Sequence, residues 1–224
     1  GRLPGLGISS NITGRVKPGT VPSFRSATPL AMPDTSRIRL IQTVDSVQKV
    51  LPYEFIRDTV SSRLIYLKAN LEPGVSYSLL CNRGAFSDVF GVTSDSVMFR
   101  IAVATEEDYG SIKMSLTGYE GNVIIQLTAE KDRIIREMKL HSPGVVLFPL
   151  LDKGKYRLKV IYDLDSDGKW TTGNYNLGRM PEPVSYYSAE LDVKINWALE
   201  QDWDIGEMYV KDVSLRTKPV TKTR

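Results

Sequence analysis

Asp163, Asp165 and Asp167 alternate within DLDSDGKW, residues 163–170, and Gly168 comes next. Calcium loops of the EF-hand kind begin this way. Oxygen ligands stand at loop positions one, three and five, a glycine at six, a backbone carbonyl at seven and a bidentate carboxylate at twelve. Counted from Asp163, the ligands are Asp163, Asp165, Asp167 and the Lys169 carbonyl, with Thr171 ninth and Asn174 twelfth. Asn174 carries one carbonyl oxygen and no charge, so it cannot supply the bidentate anion. RLKVIY, just before the loop, reads as strand, so no helix flanks it. Three carboxylates crowded into one turn repel each other, and a hard cation relieves that. The simpler reading is a polar turn in which Asp and Gly satisfy backbone geometry. The second reading is structural Ca2+, held weakly, on the order of 0.1–1 mM as in extracellular modules. No cofactor is otherwise required.

Aromatic residues crowd the region just after this loop: Trp170, Tyr175, Tyr186, Tyr187, Trp197 and Trp203. Exposed rings stack on sugars or on partner proteins. The competing role is to clamp the long stretch 171–187 onto a core. Trp197 is in phase with Leu191, Val193 and Ile195 and reads as core. The ligand-binding candidates are therefore Trp170, Tyr175, Tyr186, Tyr187 and Trp203. The 171–187 loop is long for a hairpin connection, and RMPEP stiffens it.

Catalytic chemistry has little to draw on. The chain holds one histidine, His141, at an apparent strand end, and one cysteine, Cys81. An intramolecular disulfide and a Cys/His zinc site are both excluded. There is no Gly-x-Ser-x-Gly, phosphate loop or His-Glu-x-x-His. Glu106 and Glu107 read as a solvated linker pair. Two distant glycosidase carboxylates would escape sequence inspection, but the expectation is a non-enzyme. Cys81 lies in SYSLLCNRG, an apparent strand, and reads as a buried inert thiol.

The elements that must position these residues read as strands. SRIRLIQTV, RLIYLKANL, VSYSLLCN and SVMFRIAVAT are short apolar runs bounded by turn residues. In PYEFIRDTVSSRLIYL, Ile56, Val60, Leu64 and Leu67 also fit helical spacing, but the Tyr, Phe, Ile and Val content favours strand at its ends. SIKMSLTG places Ile112, Met114 and Leu116 on one face. NVIIQLTAE and DRIIREMKL read as a hairpin. GVVLFPLL and KYRLKVIYD are joined by DKG, where Gly154 suits a tight hairpin with positive φ. ELDVKINW reads as one alternating, half-buried strand. Many short strands with regular turn signals mean an all-β protein of sandwich type.

A hydrophobic content of 42% and a charged content of 25% over 224 residues suit one large or two small globular domains. The net charge of +3 is spread evenly, so nothing points to nucleic acid. No apolar run is long enough to span a membrane. The first residues, GRLPGLGISSNITG, lack the pattern of a signal peptide. A chain cut from a longer precursor reads the same, so export stays open.

Two stretches carry a family resemblance. GAFSDVFGVTSDSVMFRIAVAT resembles the end of bacterial Ig-like domains of the surface-layer type, with Tyr77, Leu79, Gly84, Ala85, Asp88 and Gly91 at the matching positions. PLAMPDTSRIRL resembles the early strand of those domains. The departure is Val92, where the family has Asn. VVLFPLLDKGKYRLKVIYDLDSDGKW resembles the prealbumin-like modules of carboxypeptidase regulatory domains, through Phe148, Leu151, Gly154, Tyr156, Leu158 and Val160. Their order, and the tail YYSAELDVKINWALEQDWD, resemble Ig-like lipoproteins of Bacteroidota over roughly residues 25–205.

Two antiparallel β-sandwich modules are thus expected, Ig-like and then prealbumin-like. The boundaries are an extended segment at 1–24, modules at 25–106 and 107–215, and a flexible basic tail at 216–224; one large sandwich is the alternative. The resemblance implies an exported protein of the outer membrane, periplasm or cell surface, the C-terminal part of a longer lipoprotein. Its function would be structural or interactive, through loops and strand edges, toward a cell-envelope protein or a glycan. The rival is a carbohydrate-binding accessory module using the rings near the acidic loop.

Overall fold

The computed structural model describes residues 5–12, 14–173, 180–206 and 209. Tyr175 and the tail at 216–224 lie outside them. The chain forms two compact units, 1–106 and 107–224.

In the first unit, β1 (Ser9–Ser10), β3 (Ser23–Arg25), β6 (Glu54–Arg57) and β7 (Leu64–Lys68) make one sheet, in the order β1-β3-β7-β6. The facing sheet holds β2 (Gly14–Val16), β4 (Ile38–Val44), β5 (Val47–Leu51), β8 (Ser76–Cys81) and β9 (Val97–Val103), in the order β2-β9-β8-β4-β5. Immunoglobulin strands A, B, E and D pair in one sheet and C, F and G in the other. Here β1, β3, β7 and β6 stand as A, B, E and D, and β4, β8 and β9 as C, F and G. The segment 52–67 forms strands at its two ends, as its aromatic and β-branched content implies.

Immunoglobulin domains of antibodies bridge their sheets with a disulfide and a tryptophan. This unit has neither, and phenylalanines fill the space. The Phe24 ring centroid lies 5.4 Å from Phe86, 5.1 Å from Phe99 and 6.1 Å from Phe55. Tyr77, at the start of β8, is buried, and its hydroxyl accepts from Glu72 N at 2.7 Å. This is the tyrosine corner of the immunoglobulin fold. Asp88 is buried and caps the next turn: its Oδ1 accepts from Phe90 N and Val92 N, and its Oδ2 from the Thr28 hydroxyl.

The second unit packs a three-stranded sheet on a five-stranded one. The first holds β10 (Gly110–Thr117), β13 (Val145–Leu151) and β17 (Ala198–Asp204), with β10 in the middle. The second runs β12 (Ile134–Leu140), β11 (Val123–Thr128), β14 (Gly154–Tyr162) and β15 (Val184–Tyr186), with β16 (Leu191–Val193) on the other half of β14. Alternation decides which side chains enter the core. Ile112, Met114 and Leu116 of β10 face Val123, Ile125 and Leu127 of β11, with Tyr156, Leu158, Val160 and Tyr162 of β14 beside them.

Two local expectations fail. DKG is not a hairpin: β13 and β14 lie in different sheets, so the segment carries the chain across the sandwich. Gly154 does not take a positive φ; Leu150 does, at 54°, where the β13–β10 register shifts. ELDVKINW is not one strand either. Leu191 and Val193 are buried, but the chain then turns, and Asn196 takes a φ of 54°. Trp197 lies in this turn, outside both strands, and is 59% exposed rather than core; in β17 the inward positions are Leu199, Gln201 and Trp203, and Trp203 is 6% exposed rather than a surface platform.

Candidate metal centre

Strand β14 delivers the acidic turn. It ends at Tyr162, and Asp163 N continues the pairing by donating to Asn122 O at 3.0 Å. Asp163 is buried, and its carboxylate organises the turn: Oδ1 accepts from Asp167 N and Oδ2 from Gly168 N. Gly168 sits at φ 71°, the left-handed region that favours glycine, and an added Cβ would also crowd Lys139 Nζ at 3.1 Å. Asn122 braces the turn from below. Its Nδ2 donates to Ser166 Oγ at 2.7 Å, and its Oδ1 lies 3.2 Å from His141 Nδ1. With Nδ2 committed as donor, Oδ1 accepts, and the His141 ring N–H donates. His141 thus supports the turn from the end of β12.

The charge that Asn174 cannot provide comes from Glu182. Carboxylate oxygens of Asp163, Asp165 and Glu182 lie within 4.8 Å of one another. Glu182 is 4% exposed. Its Oε1 accepts from Leu164 N at 2.7 Å, and its Oε2 from Thr171 N at 2.9 Å. The pairing is mutual, because Glu182 N donates to Thr171 O at 3.1 Å. Trp170 Nε1 adds a bond to Glu182 O at 3.3 Å. Glu182 was not legible as a ligand, since it lies beyond the loop, between Pro181 and Pro183. The signal available was a single acidic residue held in a proline frame.

Of the expected metal ligands, Asp163 and Asp165 are brought together. Thr171 joins them through its hydroxyl, which donates to Asp165 Oδ2 at 3.1 Å. Asp167 stands outside the triad and caps Lys169 N at 2.7 Å. Lys169 is exposed, and its amide serves that cap. The donor set is oxygen throughout, which suits a hard cation such as Ca2+. Backbone amides occupy some of the carboxylate lone pairs, but each oxygen has two. The negative charge reaches further: burial lifts the Tyr119 phenol above its ordinary pKa, and Tyr209, Asp163 and Glu182 add to the effect.

The aromatic candidates divide. Trp170 and Tyr186 are 48% and 55% exposed. Tyr187 is half-buried, with its ring centroid 5.4 Å from that of Trp203 and its hydroxyl donating to Gln201 Oε1 at 2.8 Å. Trp203 packs in the core, so it offers no face to a ligand.

No family model matches the chain, and no curated protein matches it. Among solved structures, native alpha-2-macroglobulin from Escherichia coli, spanning domains MG0-NIE-MG1, is similar at 11% identity and a TM-score of 0.34, over 82% of this chain and 70% of that one. A variant of BcpA, the major pilin subunit of Bacillus cereus, is similar at 10% identity and a TM-score of 0.28, over 89% of this chain and 70% of that one. At such values the fold rests on the chain's own topology: an all-β protein of two β-sandwich units, the first with immunoglobulin strand order.

Proposed function

We propose that the chain is a non-enzymatic interaction module of the bacterial cell envelope, exported and acting through loops and strand edges. Its acidic turn would hold a calcium ion that stiffens the base of the 171–187 loop. The observation that carries this is the mutual pairing of Thr171 with Glu182. It closes the loop at its base and places a buried carboxylate beside Asp163 and Asp165. A fixed base limits the entropy lost when a loop meets its partner. The carbohydrate-binding reading keeps Trp170 and Tyr186 near the loop, both about half exposed, and loses Trp203.

The test is cross-linking to a solubilised envelope fraction, followed by mass spectrometry, with calcium and with EDTA. The same named partner should appear with calcium, weaken with EDTA and vanish when residues 173–180 are replaced by a short Gly-Ser linker. Capture that ignores both changes would sink the proposal.

A further inference from the structure

The second unit has another concave site, at the far end of β14 from the acidic turn. It is an open pocket of about 360 Å3 lined by residues that include Asp192, Lys194, Trp197 and Gln201. Gly154 and Tyr156, at the start of β14, pair with Val193 and Leu191 of β16, whereas the acidic turn comes after Tyr162 at its other end. The two sites share no residue.

Its most telling member is Trp197. A tryptophan has a large area to bury, yet this ring is 59% exposed. Its backbone is fixed. The turn 194–197 is pinned to the start of β10 by two backbone bonds, Asn196 N to Tyr109 O at 2.9 Å and Ser111 N to Trp197 O at 3.0 Å. Gly110 makes the approach feasible: a Cβ there would fall 2.4 Å from Lys194 O and 2.4 Å from Val193 Cγ1. The fold therefore holds an indole in solvent on a fixed support.

Around the ring stand both kinds of hydrogen-bonding group. Lys194 Nζ lies over one face of the Trp197 ring, 5.2 Å from its centroid, so a ligand stacks on the other face or displaces the ammonium. Asp192 is exposed and offers a carboxylate. The Tyr187 hydroxyl holds Gln201 Oε1, which orients the amide and leaves Nε2 as its donor end. Glu190 is fixed by Lys155 Nζ at 2.7 Å. A purely apolar partner would desolvate the Asp192 and Lys194 charges without giving them a hydrogen-bonding partner. A pyranose ring matches them: its C–H face stacks on an indole, and each of its hydroxyls both donates and accepts. The volume lies at the small end of the roughly 300–1,000 Å3 range of ligand sites, the size for a short sugar segment.

We infer that this pocket is a glycan-binding subsite in which Trp197 is the stacking platform and Asp192, Lys194 and Gln201 bind the sugar hydroxyls. The inference is independent of the acidic turn. The test applies the full chain to an array printed with hexose, N-acetylhexosamine and uronate oligosaccharides, then titrates the retained glycan by tryptophan fluorescence. Trp197→Ala should weaken binding by about tenfold or more, Asp192→Ala should weaken it, and Trp197→Phe should keep part of it. The Trp170→Ala variant and EDTA should leave it unchanged. Because the ring is exposed, the melting curve of Trp197→Ala should match the parent, which separates lost binding from lost fold. No glycan retained by the array, or affinity unchanged in Trp197→Ala, would overturn the inference.

Discussion

Thr171 and Glu182 hold each other from both sides: the Thr171 amide donates to the Glu182 carboxylate, and the Glu182 amide donates to the Thr171 carbonyl. The two ends of a long excursion therefore meet at one carboxyl group, and that group also touches the acidic turn through Leu164 N. Loop closure and charge clustering are the same contact.

Calcium should consequently raise the melting temperature, and EDTA should lower it. Asp165→Ala and Glu182→Gln should each remove the difference. Calcium at about 5–10 mM exceeds the weak affinities of extracellular modules and should saturate the site. Identical melting of the parent with and without calcium disposes of the ion.

Trp203→Ala should be the most damaging of the tryptophan variants. A buried ring truncated to alanine costs about 3–5 kcal/mol through lost transfer energy and a cavity. Trp170→Ala loses one partly exposed bond and should cost about 1 kcal/mol. Urea unfolding of the two variants decides the order; equal costs would contradict the burial difference.

Removing the hydroxyl in Tyr77→Phe strands the Glu72 amide at the tyrosine corner. The expected loss is about 1–3 kcal/mol. It should appear in the unfolding of the first unit, monitored by amide exchange, and leave the second unit's protection intact.

Asp88 should make the first unit acid-sensitive. Burial opposes its charge, but bonds from the Thr28 hydroxyl and from Val92, Phe90 and Gly91 amides outweigh burial and hold its carboxyl below the usual range. A lowered folded pKa stabilises the fold fully above the unfolded value, about 3.9, and that contribution disappears as pH falls through the folded value. Melting temperatures measured from pH 6 downward should drop more steeply for the parent than for Asp88→Asn; matching slopes would refute this.

Cys81 should be silent in the native state. It is buried and free, and burial pushes its thiol up to about 12. An aromatic disulfide reagent at mild alkaline pH should label it only after denaturation. Rapid labelling of the folded chain would show the site to be open.

Short-range alternation is the part of this fold that can be read directly from the sequence. Ile112, Met114 and Leu116 of β10 share a face because successive strand residues point to opposite sides, and all three are buried. The turn capped by Asp88 is equally local, because the amides it accepts from, Phe90 and Val92, lie within a few residues. Glu182 was hidden because its partnership with Asp163 and Asp165 depends on where the chain returns. Trp197 and Trp203 exchanged places for a subtler reason. Leu191 and Val193 set a true phase, which β17 resumes at Leu199, Gln201 and Trp203, but the turn at left-handed Asn196, packed on Gly110, takes Trp197 out of any strand. No count of alternating residues reveals a turn that depends on the absence of a side chain on another strand.

The pairing of β10 with β17 has a mechanical consequence. Among the described residues, the first and last strands of the second unit lie side by side and parallel, in register from Ser111 opposite Ala198 to Thr117 opposite Asp204. Tension applied to the start of β10 and the end of β17 drags the two strands in opposite directions along their length. Every rung of the ladder is then strained at once, whereas a hairpin pulled at its open end parts one rung at a time. In the first unit, β2 and β9 are also parallel, from Gly14 opposite Ile101 to Val16 opposite Val103. Both units therefore carry a parallel pairing between an early strand and a late one, a geometry that loads its rungs together under such tension.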